Sequence, residues 1–189
     1  MRRHFVRARL SAKIATMKPH SRKRRPAVTE RQFRDALGQF ATGVTIITAR
    51  AAHGFVGFTA NSFNSVSLDP PLVIWSLARR SRSLAVFEAA ERYAINVLAH
   101  DQVDLARRFS RPHLDRFASV AFHLGEAEAP LIEDCTAWLE CSHHALHPAG
   151  DHMLFIGEVF AAAHHHLPPL LWHAGRYRVS ESAGTARAD

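Results

Sequence analysis

The residues best suited to chemistry lie between Gly57 and Leu77, where Thr59–Ser67 carries hydroxyl and amide side chains spaced by small and apolar ones. The apolar run Leu72–Trp75 follows and predicts a short buried strand. Polar groups shielded from water need hydrogen-bond partners, and this uncharged set offers both donors and acceptors. It therefore suits a large, neutral ligand rich in heteroatoms better than a metal ion or an anion.

A flavin ring with its ribityl chain fits that description and is the hypothesis we take forward. The alternative is a loop rich in Asn, Ser and Thr whose side chains only bond to its own backbone. The polar segment taken alone does not decide between the two.

A second candidate site lies at Ala78–Ser83, where three arginines and two serines precede the apolar run Leu84–Ala89. Ser81 or Ser83 is well placed as the N-cap of a helix. Free backbone N–H groups, hydroxyls and guanidinium groups together would bind a phosphate. The alternative is an ordinary capped helix with solvated arginines.

The histidines do not predict a metal centre. His143–His144 and His164–His166 are runs of neighbours, and neighbouring residues of a strand face opposite sides. Neither run therefore presents a convergent set of ligands by itself, and we predict no metal site.

Charge is distributed unevenly along the 189 residues, which are 47% hydrophobic and long enough for one sizeable core. Residues 1–26 hold ten Lys and Arg and no acidic residue, which leaves 14 basic against 17 acidic residues elsewhere. We expect a basic disordered tail at 1–26, a folded domain at 27–180 and a frayed end at 181–189. A transit peptide, a nucleic-acid-binding arm or a start at Met17 are alternatives for the tail.

The sequence contains no run of eighteen apolar residues, so we expect no transmembrane helix. Cys135 and Cys141 would lie about 20 Å apart on one strand, too far to form a disulfide. Two unpaired thiols indicate a reducing compartment, and we expect a cytoplasmic protein.

The elements that must position these residues are mainly strands. Thr29 and Gln32 predict a capping box ahead of an amphipathic helix with Phe33, Ala36, Leu37 and Phe40 on one face, ended by Thr42-Gly43. Asp101 is expected to cap a helix through Leu105 to Phe109. Short connections predict six or seven mostly antiparallel strands in a closed or partly closed barrel with flanking helices. The predicted strands include Val44–Thr48, Phe55–Phe58, Leu72–Leu77, Tyr93–Leu98, Ala137–Ser142 and Met153–Phe160.

With these pieces in order, the chain resembles the flavin reductase-like family, the reductase components of two-component flavin-dependent monooxygenases. The matching segments span roughly residues 29–179 and include Phe33–Val44, Gly57–Phe63, Ser65–Leu72, Asn96–Leu98, Arg108-Phe109, Arg116-Phe117, Gly150–His152 and Gly157–Val159. The resemblance implies an FMN-binding split β-barrel, usually a homodimer, that reduces free FMN or FAD with NADH or NADPH. Reduced flavin would then serve a separate monooxygenase.

The resemblance also implies roles for individual residues. The isoalloxazine and ribityl groups would meet Thr59, Ala60, Asn61 and Ser62, and the same pocket would be lined by Ser65, Val66 and Ser67. The flavin phosphate would be held by Ser81, Arg82 and Ser83, and Phe109 and Arg116 would lie near the flavin. Asp151 and His152 would sit beside the nicotinamide and act in hydride transfer.

Hydride transfer needs two flat rings held at reacting distance, and the cofactors supply the chemistry themselves. The sequence has no G-x-G-x-x-G, so we do not expect a Rossmann domain to bind the nicotinamide. The alternative function is a flavin-bound oxidase or sensor on the same barrel that does not release its flavin. We expect neither nucleic acid nor membrane as a partner.

Overall fold

The computed structural model describes residues 28–112 and 115–180. The basic tail predicted at 1–26 and the frayed end predicted at 181–189 lie outside the described residues. Within the described residues, no helix is both long and apolar enough to cross a bilayer.

Residues 28–112 and 115–180 form three short helices and twelve strands. The helices are α1 (Glu30–Leu37), α2 (Leu84–Ala89) and α3 (Val103–Ser110). The strands are β1 (Thr42–Gly43), β2 (Thr45–Ala51), β3 (Gly54–Ala60), β4 (Asn64–Leu68), β5 (Pro71–Ala78), β6 (Arg92–Val97), β7 (Phe122–Leu124), β8 (Pro130–Ile132), β9 (Ala137–Ala149), β10 (His152–His164), β11 (Leu170–His173) and β12 (Arg176–Val179).

Seven strands form the main sheet in the order β3-β2-β6-β9-β10-β5-β4, and every pair in it is antiparallel. Its edge strands β3 and β4 are consecutive in the chain and separated by only residues 61–63. Three residues span about 10 Å, so the sheet must curl until its two edges meet. The mainly β, split-barrel fold predicted from the sequence is confirmed, and five shorter strands add a three-stranded and a two-stranded sheet.

The barrel is filled by aromatic side chains. Trp75 of β5 stacks on Phe155 of β10 with ring centroids 3.9 Å apart, because these residues face each other in the register of the two strands. Phe87 of α2 and Tyr93 of β6 pack edge-on against Trp75. All four side chains are fully buried and belong to one core cluster inside the barrel.

Several local predictions are confirmed and others need correction. The capping box of Thr29 and Gln32 is present, but α1 ends at Leu37 with Gly38 as its C-cap. Thr42-Gly43 does not end the helix, because it pairs with β11 as a short strand. Asp101 does not cap α3, since Gln102 occupies that position and its amide bonds to Ala99 and Glu133 instead.

Candidate functional site

The polar segment is divided between two edge strands and the turn that joins them. Thr59, the next-to-last residue of β3, is half-buried, and its hydroxyl donates to the carbonyl of Ala106 in α3 at 2.7 Å. In the turn, the Ser62 hydroxyl accepts from the backbone N–H of Ser76 at 3.0 Å. That bond ties the turn to β5, across the line where the barrel closes. Part of the polar segment therefore holds the barrel edges together.

The turn opens into a cavity of about 540 Å³. Its lining includes Asn61 and Ser62 from the turn, Phe40 from the segment after α1, and Trp172 of β11. The remaining lining residues are Arg34, Leu37, Gly38, Thr42, Phe63, Asn64 and Gly175. We call this cavity the turn groove; its mixture of amide, hydroxyl and aromatic groups suits a planar ligand with a heteroatom edge.

Sequence analysis missed the contribution of α1 and β11 to this groove. The one sequence signal for this region was the apolar face of α1, which predicts a face buried in the core. In the structure α1 has no buried residue, and Phe40 is 70% exposed. Trp172 enters because β11 pairs with β1, immediately after the segment that carries Phe40. The groove is thus completed by a long-range pairing that no local pattern shows.

The β4 residues behave partly as the alternative interpretation predicted. The Asn64 amide oxygen accepts from the N–H of Ser65 at 2.9 Å, and the Ser67 hydroxyl accepts from the N–H of Asp69 at 3.3 Å. Val66 is 50% exposed, on a strand that is bulged between Ser65 and Ser67. Ser65, Val66 and Ser67 do not line the turn groove; they lie on the neighbouring edge strand.

The arginine and serine segment meets the predicted nicotinamide turn. The N–H of Arg79 donates to the Asp151 carbonyl at 2.9 Å, because β5 pairs with β10 up to its first residue. Ser83 occupies the N-cap position of α2, but its side chain makes no capping bond. Its N–H instead donates to the hydroxyl of Ser81 at 3.3 Å. The structure therefore brings Arg79, near the start of this segment, next to Asp151, whereas Ser83 lines a cavity that does not include residues 151–152.

Asp151 and His152 form a close pair on that surface. The His152 Nδ1 lies 2.7 Å from the Asp151 Oδ1. The hydrogen bond and charge of His152 hold the pKa of Asp151 below its ordinary value, with a smaller contribution from Arg80. Asp151 is exposed, so the pair faces solvent where a ligand can reach it.

Phe109 and Arg116 lie away from the turn groove. Phe109 is fully buried, and its ring packs against Gly57 beneath β3. Arg116 and Ser83 line a smaller cavity of about 240 Å³ with Phe55, Val56, Gly57, Asp115 and Phe117. Burial lowers the pKa of Arg116. Ser83 and Arg116 thus line the same cavity, whereas the Phe109 ring is buried against β3.

The histidine runs have backbone partners. A ring nitrogen of His143 lies 2.7 Å from the Phe87 carbonyl, and Nδ1 of His165 lies 2.9 Å from the Cys135 carbonyl. Across residues 28–112 and 115–180, no group of three or more His, Cys, Asp or Glu residues is arranged to hold a metal ion.

Comparison with known proteins gives a consistent set of similarities. The flavin reductase like domain model matches residues 37–181. A probable flavin reductase of Rhizobium meliloti is 48% identical over 157 residues, covering 82% of this chain and 50% of that protein. The chain thus spans about half the length of that relative. The FMN reductase (NADH) SmoA of Agrobacterium fabrum is 44% identical over 147 residues, covering 78% of this chain and 84% of SmoA.

Among solved structures, the chain is similar to a homologue of nitrilotriacetate monooxygenase component B from Mycobacterium thermoresistibile. The two share 36% sequence identity with a TM-score of 0.81. The match covers 84% of this chain and 90% of the other.

Proposed function

The chain belongs to the flavin reductase-like family, and on that premise we propose that it is an NAD(P)H-dependent flavin reductase acting on FMN or FAD. The observation that carries the proposal is the turn groove, which is lined by the uncharged turn residues Asn61 and Ser62 together with the rings of Phe40 and Trp172. The turn residues offer hydrogen bonds and the two rings offer stacking surface. A flavin ring needs both.

The residues present fit a flavin in size and in charge. A volume of about 540 Å³ is within the range of cofactor sites. The side chains that face the ring from the turn are neutral, so they would hydrogen-bond its carbonyl and N–H edge without favouring an anion. When bound, the flavin supplies an acceptor for the hydride of the nicotinamide, and the protein supplies the orientation.

The phosphate of FMN, or the diphosphate of FAD, belongs in this proposal to Ser81, Arg82 and Ser83. Hydroxyls and a guanidinium group suit phosphate oxygens, and the segment lies at the end of β5, the strand to which Ser62 is tied. In this proposal a ribityl chain that leaves the turn groove along β3 and β4 would pass residues that flank the groove without lining it, namely Thr59, Ala60, Ser65, Val66 and Ser67. Thr59 would contribute only its remaining acceptor capacity, because its hydrogen is donated to Ala106.

Asp151 and His152 are the proposed nicotinamide contacts. The backbone bond from Arg79 to Asp151 holds the pair beside the phosphate segment. A carboxylate bonded to Nδ1 leaves Nε2 of His152 as the ring nitrogen available to a ligand. We assign this pair the positioning of the nicotinamide carboxamide and ribose.

We further propose that reduced flavin leaves the protein and serves a separate monooxygenase. The name of the Mycobacterium relative, a monooxygenase component, supports a partner of this kind. The turn groove opens at the surface next to the exposed side chain of Phe40, which supports exchange of the ligand with solution.

Two finer proposals concern assembly and location. The apolar face of α1 leaves Phe33 58% and Leu37 56% exposed, and we propose that a second copy of the chain covers it in a homodimer. The two cysteines are free and buried, which supports a reducing compartment such as the cytoplasm.

The proposal is tested by mixing the purified protein with NADH or NADPH and with FMN, FAD or riboflavin, and following loss of the reduced nicotinamide. Multiple turnovers that require added flavin are expected. Oxidation of nicotinamide by a permanently bound flavin, without dependence on added flavin, would favour the oxidase or sensor alternative.

A further inference from the structure

The guanidinium group of Arg116 is committed to backbone carbonyls on two segments. Its Nε and one terminal nitrogen donate to the carbonyl of Arg111 at 3.1 and 3.0 Å. The other terminal nitrogen donates to the carbonyl of Gly57. Three of the five N–H groups of the side chain are therefore used within the protein. The bond to Gly57 crosses from the segment after α3 to the middle of β3.

Gly57 is also closely packed against Phe109 and the backbone of Ile47. A Cβ atom at Gly57 would lie 2.9 Å from a ring carbon of Phe109 and 3.3 Å from the Ile47 carbonyl. Two residues further along β3, the Thr59 hydroxyl bonds to the Ala106 carbonyl. Helix α3 and the segment after it thus clamp β3 at residues 57 and 59, directly before the turn that enters the groove.

The cavity that Arg116 shares with Ser83 of the proposed phosphate segment also holds a carboxylate. The same small cavity is lined by Asp115, whose carboxylate would repel a phosphate. That carboxylate also accepts from the N–H of Phe117 at 3.2 Å, which holds it in this place. The two unused N–H groups of Arg116 would therefore meet an anion only beside a fixed negative charge.

We propose that Arg116 is a positioning residue: it fixes the Gly57 carbonyl and, through β3, sets the place of Asn61 and Ser62 in the turn groove. This inference rests on the proposed flavin reductase function. It differs from the role implied by family resemblance, in which Arg116 contacts the flavin itself. The distinction matters because a positioning residue affects every flavin alike, whereas a phosphate contact affects only phosphorylated ones.

The test compares FMN with riboflavin, which lacks the phosphate, in the protein with Arg116→Met. Dissociation constants are measured by flavin fluorescence, and KM and kcat by nicotinamide oxidation, well below the unfolding temperature. Loss of hydrogen bonds to a charged group predicts affinity weakened about tenfold for both flavins. The kcat at saturating flavin is expected to stay within about twofold, because the cofactors carry the chemistry.

Two further variants keep the comparison interpretable. Arg111→Met removes a nearby exposed charge but leaves the carbonyl that Arg116 binds, and both flavins should bind to it as to the wild type. Gly57→Ala disturbs β3 at the same point by displacing Phe109, and it should weaken both flavins in parallel. Arg116→Lys should restore part of the loss, since one ammonium group can still reach one carbonyl.

Three results would overturn the inference. In Arg116→Met, weakened FMN with unchanged riboflavin would make Arg116 a phosphate ligand and leave the proposed function standing. A lower unfolding temperature with both affinities unchanged would make it a purely structural residue. If the wild-type protein bound neither flavin and oxidised no nicotinamide, the proposed function and the inference would fail together.

Discussion

The Nδ1 of His152 lies 2.7 Å from the Oδ1 of Asp151, at the turn between β9 and β10. The carbonyl of the same aspartate accepts from the N–H of Arg79, the first residue after β5. One residue thus orients an imidazole with its side chain and, with its backbone carbonyl, fixes Arg79, two positions before the proposed phosphate segment. This relationship couples the two ends of the proposed ligand site, and it leads to the first prediction.

His152→Ala is expected to raise the KM for NADH or NADPH about tenfold while the affinity for flavin changes less than twofold. The physical reason is that the imidazole lies with the proposed nicotinamide contacts, outside the turn groove. Steady-state kinetics and flavin titration measure the two effects separately.

His147→Ala is the matched control, because His147 is an exposed histidine on the same hairpin. It should leave both constants unchanged. Equal losses of nicotinamide and flavin binding in His152→Ala would instead make the histidine a structural residue of the turn.

The two thiols predict a loss of stability in alkali. Burial raises the pKa of Cys135 and Cys141 to about 12, against an ordinary value of 9.0. The folded protein keeps these protons where the unfolded chain releases them, so stability is complete below about pH 9 and falls as pH rises towards 12. The expected slope is about 1.4 kcal/mol per pH unit for each thiol.

The slope is measured by denaturant unfolding across that pH range, in the wild type and in Cys135→Ala with Cys141→Ala. The double variant should lose less stability per pH unit, whatever its stability at neutral pH. Equal slopes would show that the thiols are not the titrating groups.

The close approach of Tyr93 to Gly157 predicts that a side chain at position 157 would clash, and that a second substitution at Tyr93 would relieve the clash. A Cβ atom at Gly157 would overlap the hydroxyl oxygen of Tyr93, which is fully buried in the barrel. Gly157→Ala should therefore cost about 1–3 kcal/mol of unfolding free energy, as overpacked cores do. Thermal or denaturant unfolding gives the value.

The control for this clash is Tyr93→Phe, which removes only the oxygen. Among the described residues, that hydroxyl lies near the Trp75 indole N–H, but the two do not reach hydrogen-bond geometry, so its removal alone should change stability little. Combined with Gly157→Ala it should recover most of the loss. If the changes in unfolding free energy of the two substitutions simply added in the double variant, the loss in Gly157→Ala would not come from the clash with the Tyr93 hydroxyl.

The apolar face of α1 predicts the state of assembly. Phe33→Ser with Leu37→Ser should convert a dimer to a monomer, because it removes two exposed apolar side chains from the proposed interface. Light scattering coupled to gel filtration measures the mass. Arg31→Ser, on the same exposed helix, is the control and should remain dimeric. A wild-type monomer would contradict the proposed homodimer.

Local chemistry made much of the fold predictable. The capping box at Thr29 and Gln32 is a contact within one turn of helix, so spacing alone identifies it. The strands β9 and β10 likewise form where the alternating residues 137–142 and the apolar run 153–160 predict them, although the neighbours Glu140 and Cys141 of β9 are both buried. The turn at Gly150–His152 joins them with residues typical of turns, and Gly150 has a φ of 60° that favours glycine.

The candidate site was predictable only on one side. Asn61 and Ser62 were found because polar residues beside a buried strand are costly without partners. Phe40 and Trp172 were not predicted, because the pairing of β1 with β11 joins distant parts of the chain. The residue pattern of a strand does not identify the strand with which it pairs. Thr59 was expected to serve a ligand, but a hydroxyl has one hydrogen, and here it is donated to α3.

The central claim, that a flavin binds in the turn groove, is tested most directly by a crystal structure of the protein with FMN. The account predicts the ring between Asn61 and Ser62 on one side and Phe40 and Trp172 on the other, with the phosphate at Ser81–Ser83. A ring bound elsewhere, or a groove that stays closed to FMN at saturating concentration, would contradict it.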